Sequence, residues 1–93
     1  MQGFEWDESK AASNLVKHLV AFDEAVGALL DPLALTVFDT APSGIEDRWL
    51  TIGYSHALRL LLVVTTERES GTPIISARSA TSGERQTYER HNR

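Results

Sequence analysis

The sequence predicts an α+β fold in which two N-terminal helices pack on an antiparallel four-stranded sheet, followed by a short C-terminal helix. Three observations carry that expectation. Apolar residues recur at helical spacing through residues 8–30, the period then shortens to that of strands from Leu33 to Ala80, and Thr81 and Glu84 show the Thr-x-x-Glu spacing of a capping box. The 93 residues suit one domain spanning residues 1–93. With 42% hydrophobic and 24% charged residues, the chain has the composition of a folding domain rather than a disordered one. A domain of this size buries only about 60–65% of its unfolded surface, so a partner that adds burial is expected to matter.

Phe4-Glu5-Trp6 reads as a short extended start, and Asp7 is placed to cap a helix from Glu8 to His18. At about 100° per residue, Ala11, Ala12, Leu15, Val16 and Leu19 fall on one side and Lys10, Asn14 and Lys17 on the other. The apolar side is expected to face the core. A second helix begins near Phe22 or Asp23, since Asp23 and Glu24 suit its positive end, and Asp31-Pro32 ends it. The short link between the helices favours an antiparallel hairpin. Ala34 to Asp39 reads as a strand and Thr40 to Asp47 as a polar loop with Pro42 and Gly44. Arg48 to Tyr54 alternates, placing Trp49, Thr51 and Gly53 on one face and Leu50, Ile52 and Tyr54 on the other. Leu58 to Thr66 is apolar on both faces, as a central strand requires, and Pro73 to Ala80 returns after a turn at Gly71. Leu60, Leu62 and Ile75 are the expected buried residues of the sheet. The last element is a short, polar, arginine-rich helix containing Arg85, Tyr88 and Glu89.

Several function classes are excluded at once. With no cysteine, the chain has no disulfide, thiolate metal site or cysteine nucleophile, and a reducing, cytoplasmic setting is expected. Glu5, Asp7 and Glu8 stand where a secretory signal would be apolar, and the Leu60–Val64 run is too short to span a bilayer, so no membrane role is expected. His18, His56 and His91 lack the spacing of a metal-binding helix, so neither a metal nor another cofactor is expected. No Gly-rich phosphate loop and no Gly-x-Ser-x-Gly elbow occurs. The net charge of −4 is unevenly spread: residues 1–50 hold three bases against nine acids, whereas residues 51–93 hold six arginines against four acids. Seven of the nine bases are arginine, which grips phosphate and carboxylate with paired hydrogen bonds.

The run Phe4-Glu5-Trp6-Asp7, then Lys10, Asn14, Lys17-His18, Phe22 and Asp31-Pro32, resembles the opening of the BrnT family. Glu46, Arg48, Ile52-Gly53-Tyr54-Ser55, Arg59, Thr66-Glu67-Arg68, the run from Ile74 to Ala80, Glu84-Arg85 and Tyr88 follow that family's order through the second half. The resemblance implies a RelE-like fold, metal-independent RNA cleavage that inhibits translation, and neutralisation by a BrnA-like ribbon-helix-helix antitoxin that alone contacts operator DNA. The sequence departs from the family at Leu19, where a glycine commonly follows the Lys-His pair, at Pro42 and Thr65, where histidines occur, and at Pro73, where a base is common.

Metal-free RNA cleavage uses the neighbouring 2′-hydroxyl as nucleophile, so a site must take its proton, hold the phosphorane's charge and protonate the leaving oxygen. The resemblance makes Lys17, His18, Glu67, Arg68, Arg78 and Tyr88 the candidates. His18, Glu67 or Tyr88 would move protons, Lys17, Arg68 and Arg78 would hold phosphate oxygens, and Phe4, Trp6 or Tyr88 would stack on a base. Which residue is the base stays open. Each also has a structural reading: Lys17 and His18 suit the negative end of a helix, Glu67 and Arg68 a surface pair, Arg78 an acidic neighbour, and Tyr88 packing against the sheet. Trp6 and Trp49 read as core or partner anchors, and His56 as a turn residue. Two function classes result: a ribonuclease toxin, or a catalytically weak binding module that holds a DNA-binding antitoxin and tunes repression.

Overall fold

A computed structural model describes residues 3–39 and 48–93 of the chain, and the polar loop expected over 40–47 lies outside the described residues. In chain order the elements are β1 (Phe4–Glu5), α1 (Glu8–His18), α2 (Phe22–Leu29), β2 (Leu35–Asp39), β3 (Arg48–Tyr54), β4 (Leu60–Thr65), β5 (Thr72–Ser79) and α3 (Ser82–His91). The class is α+β, as the periodicities predict. Among the described residues the sheet differs from expectation in having five strands, in the order β1-β5-β4-β3-β2, with β1 parallel to β5 and the other pairings antiparallel. The extended start is thus a fifth strand, held by the pairs Phe4↔Thr72 and Glu5↔Pro73.

Local chemistry sets the element ends. Asp7 caps α1 by accepting from the Ser9 amide at 2.8 Å. At the start of α3, Thr81 and Glu84 form the reciprocal capping box, with the Thr81 amide donating to Glu84 at 2.9 Å and the Glu84 amide to Thr81 at 3.2 Å. Leu58 is not in β4. It sits at φ 63° in the β3–β4 turn, its amide donating to the Ser55 carbonyl. Gly53 is needed where α2 crosses β3, because a Cβ there would collide with the Ala28 carbonyl.

The helices occupy both sides of the sheet. Val20 and α2's Phe22, Ala25 and Ala28 pack with Leu61, Val63, Ile74 and Ala77 into the main core. On the other side, Ile52, Leu60 and Leu62 pack with Tyr88 of α3. Leu60 and Leu62 are therefore buried as expected, but under α3 rather than under the N-terminal pair. Full burial of a large apolar side chain such as Phe22 or Leu61 stabilises by about 1.5–3 kcal/mol.

Ile75 corrects the expected core. The register passes from Val64↔Ser76 to Thr65↔Ile74, so Ile75 is an extra residue with no opposite number on β4. Such a bulge shifts the in–out alternation by one position. Ile74 is then buried at 1% exposure, while Ile75 is only half-buried.

α1 corrects it further. Its predicted core side faces outward: Leu15, Val16 and Leu19 are 48%, 83% and 72% exposed. The reason is the outer edge of β5, where β1 pairs only with Thr72 and Pro73. The Ala77 peptide beyond that pairing needs partners, and Asn14 supplies both. The Ala77 amide donates to Asn14 Oδ1 at 3.1 Å, and Asn14 Nδ2 donates to the Ala77 and Val20 carbonyls at 2.8 and 2.9 Å. Satisfying buried peptide groups outweighs covering α1's apolar side, so the polar side turns inward.

Candidate active site

Asn14 brings the last turn of α1 against the free stretch of β5. Lys17 and His18 there line an open groove of about 320 Å³ with Lys10, Asn14, Ile75 and Ser76. Cations suit this place, because the unpaired carbonyls at a helix C-terminus carry partial negative charge. Lys10 and Ile75 also line a second groove, shared with Arg68 and with the carboxylates Glu5 and Asp7. Lys17, His18, Lys10 and Arg68 thus follow one another along the β1–β5 side of the molecule. Arg68 is fixed by the tight turn into β5, where its amide and carbonyl exchange hydrogen bonds of 3.0 Å with Gly71. Glu67 precedes it and is exposed.

Arg78 lies on β5 two residues after Ser76, but its guanidinium is on the α3 side. It donates two hydrogen bonds of 2.9 Å to the Glu84 carboxylate and one of 3.2 Å to the Ser79 carbonyl. The hydrogen bonds from Arg78 hold the Glu84 carboxyl below its usual range against the opposing effect of burial, and Glu84 in turn raises Arg78. Beside this pair, Arg85 donates to the Tyr54 hydroxyl at 3.0 Å.

Tyr88 is buried at 6% exposure and is not brought into the Lys17 groove. Its hydroxyl donates to Asp31 Oδ2 at 2.7 Å, and the same carboxylate accepts from the Tyr54 and Leu33 amides. Burial, then the Asp31 carboxylate, push the phenol up to about 12, so it stays protonated and tied to Asp31. Burial pushes Asp31 upward, but its three donors outweigh that and hold it below its usual range. Glu24 is likewise lowered, chiefly by hydrogen bonding to Arg59, against burial and with help from Ser55. The Arg59 guanidinium also reaches the Leu19 carbonyl at 3.0 Å, tying the β3–β4 turn to the end of α1.

The structure therefore gathers Lys17 and His18, sets Arg68 and Glu67 at the far end of the same side, and puts Arg78 and Tyr88 on the α3 side. Sequence reasoning missed three neighbours: Lys10 as the residue shared by both grooves, Asn14 as the clamp, and Glu84 as the partner of Arg78. Glu84 had a signal, the capping-box spacing, but that spacing does not reveal a second bond to an arginine. Among the described residues no group of three or more His, Asp and Glu side chains is placed to hold a metal, and no helix is long and apolar enough to cross a membrane.

The family model for "Ribonuclease toxin, BrnT, of type II toxin-antitoxin system" matches residues 6–84. That span includes Lys17, His18, Glu67, Arg68 and Arg78 and stops short of Tyr88. Among solved structures, the 1.1 Å crystal structure of the Brucella abortus ribonuclease toxin BrnT is similar, at 27% sequence identity and a TM-score of 0.68, over 88% of this chain and 100% of that chain. No curated protein matches the chain significantly.

Proposed function

Because the chain belongs to the BrnT family of ribonuclease toxins of type II toxin–antitoxin systems, we propose that it cleaves RNA without a metal ion at the free stretch of β5. The observation that carries this reading is the groove in which Lys17, His18 and Lys10 face Ile75 and Ser76. The lysines hold phosphate oxygens, and His18 takes the 2′-hydroxyl proton as that oxygen attacks phosphorus. The bond to the 5′-oxygen breaks as that oxygen takes a proton from water, leaving a 2′,3′-cyclic phosphate and a 5′-hydroxyl. Arg68 binds the RNA backbone further along, with Glu67 beside it, and Arg78 contributes when phosphate competes with Glu84 for its guanidinium. Tyr88 is left out of the proton relay, since its hydroxyl serves Asp31. In the cell, loss of RNA inhibits translation in the cytoplasm. A BrnA-like ribbon-helix-helix antitoxin neutralises the toxin and makes the only contact with operator DNA.

The test is RNA digestion in excess chelator with end-group analysis, comparing wild type, Lys17→Ala and Arg78→Ala at matched folded concentration. Each substitution is expected to slow cleavage by about 10²–10³-fold, as losing a charge donor from a phosphorane site does. Equal rates for all three would remove both residues from the site. One observation favours the rival reading, a binding module: both terminal nitrogens of Arg78 are engaged by Glu84. A wild type that cuts no RNA and harms no cells would select it.

A further inference from the structure

α1 presents to solvent the side that its own sequence pattern marks as a packing surface. Ala12, Leu15, Val16 and Leu19 recur at the spacing of a helix–helix seam, and all four are exposed, Val16 to 83%. Leu19 adds a second sign. It ends α1 at φ 60°, a left-handed conformation that favours glycine, yet it carries a large apolar side chain that is 72% exposed. Leu58 has the same character, at φ 63° and 82% exposed, one residue from the arginine that bonds the Leu19 carbonyl.

We infer that this stripe is the seat for an amphipathic helix with a basic rim, carried by the antitoxin. The inference rests on the type II toxin reading and locates its partner. A helical occupant follows from the spacing, since a stripe three and four residues apart takes the side chains of another helix between its own. The basic rim follows from charge. The shallow groove beside the stripe is floored by Trp6, Ala12, Leu15 and Phe22 and bordered by the exposed carboxylates Glu8 and Asp23. Glu8 and Asp23 would face their own copies across a second molecule and repel, whereas a basic helix is drawn in. Val16 and Lys17 border one hollow, so the edge of the occupant comes next to Lys17.

The experiment titrates the full-length cognate antitoxin against wild type, Val16→Glu, the Glu8→Lys/Asp23→Lys pair and Val37→Glu. Val37 is 47% exposed on the edge strand β2 and serves as the apolar control. Val16 is 83% exposed, so Val16→Glu keeps a denaturant midpoint near wild type. The charge-reversed pair opposes two helix N-termini and Val37→Glu sets a charge beside Leu50, so both lower it modestly and binding is compared at matched folded concentration. Val16→Glu is expected to weaken binding by about 100-fold or more. The charge-reversed pair is expected to weaken it by about 10-fold, mainly through a slower on-rate, and Val37→Glu by no more than about 3-fold. A larger loss from Val37→Glu, wild-type affinity for Val16→Glu, or a wild type that binds no antitoxin would each overturn the inference. So would a wild type that alone sediments as a dimer dissociated by Val16→Glu, which would give the stripe to a second copy. RNA digestion by the free proteins keeps the two readings apart. If wild type cuts no RNA but Val16→Glu still loses the antitoxin, the ribonuclease reading falls and the seat stands; if both cut RNA equally and bind equally, the seat alone falls.

Discussion

α1 and α2 are neighbouring amphipathic helices that use their faces in opposite ways. α2 buries Phe22, Ala25 and Ala28, whereas the one buried residue of α1 is Asn14. The difference lies in what each helix lands on. α2 covers the middle of the sheet, where β3 and β4 have strands on both sides, and only apolar surface needs cover. α1 lies against β5 beyond its two pairs with β1, where a peptide needs partners. Periodicity locates the axis that divides a helix into two faces; the surface beneath decides which face turns inward.

The largest effect that sharpens this contrast is expected from Phe22→Ala in α2, a cost of about 3–5 kcal/mol, while Val16→Ala in α1 should stay within about 0.5 kcal/mol. Urea denaturation of the two variants measures both, and a similar loss for each would erase the distinction. Next is Asn14→Ala, which strands the Ala77 amide and the Ala77 and Val20 carbonyls and should cost about 2–3 kcal/mol. Hydrogen exchange should then quicken at the Ala77 amide before it does on β4. An unchanged Ala77 rate would mean that the clamp does not hold the edge.

Smaller effects come from the ties on either side of the helical pair. Tyr88→Phe removes the donor to Asp31 and should cost about 1–2 kcal/mol. The phenol's folded value, raised from 10.0 to about 12, means that its contribution is whole below pH 10 and is lost as pH rises toward 12. Wild type should therefore weaken over that interval more than Tyr88→Phe does, and parallel alkaline curves would count against the tie. At acid pH the sign reverses. Glu24, Asp31 and Glu84 are all lowered from ordinary values of 4.5, 3.8 and 4.5, so their contributions are present above that range and fade as pH falls through the folded values. Arg78→Gln should flatten the Glu84 part of that acid limb, seen as a smaller drop in urea midpoint from pH 5 to pH 3. The smallest effect is expected from Leu19→Gly, a gain of up to about 1 kcal/mol from relief of the left-handed backbone. A clear loss of stability would show that the exposed leucine already packs within the chain.

Much of the fold was legible where one stretch of chain decides its own structure. The Asp7 cap, the Asp31-Pro32 stop, the alternation through β3 and the capping box of α3 all rest on neighbours a few residues apart. What escaped depends on distant partners. β1 has two residues and no period, and it is a strand only because Thr72 and Pro73 lie beside it. The bulge at Ile75 moves Ile74 into the core without a mark in the local pattern, and Asn14 turns inward because of a peptide 63 residues away. Of the candidate site, Lys17 and His18 could be placed on one helical turn. Their meeting with Ile75 and Ser76 required the sheet to be assembled, and the capture of Arg78 by Glu84, six residues on, required the turn from β5 into α3.

The pairing of β1 with β5 also bears on when the molecule becomes whole. Phe4 and Glu5 meet Thr72 and Pro73, and Asn14 meets Ala77, so the first elements are completed by nearly the last strand. Contacts across such sequence separations close late, because the loop entropy must be overcome before they form. On the ribosome, α1 and α2 emerge first and wait for β5, with both faces of α1 open to water in the interval. The groove at Lys17 has no far wall until Ile75 and Ser76 arrive, so the chain gains its groove in the same late step that completes its first elements.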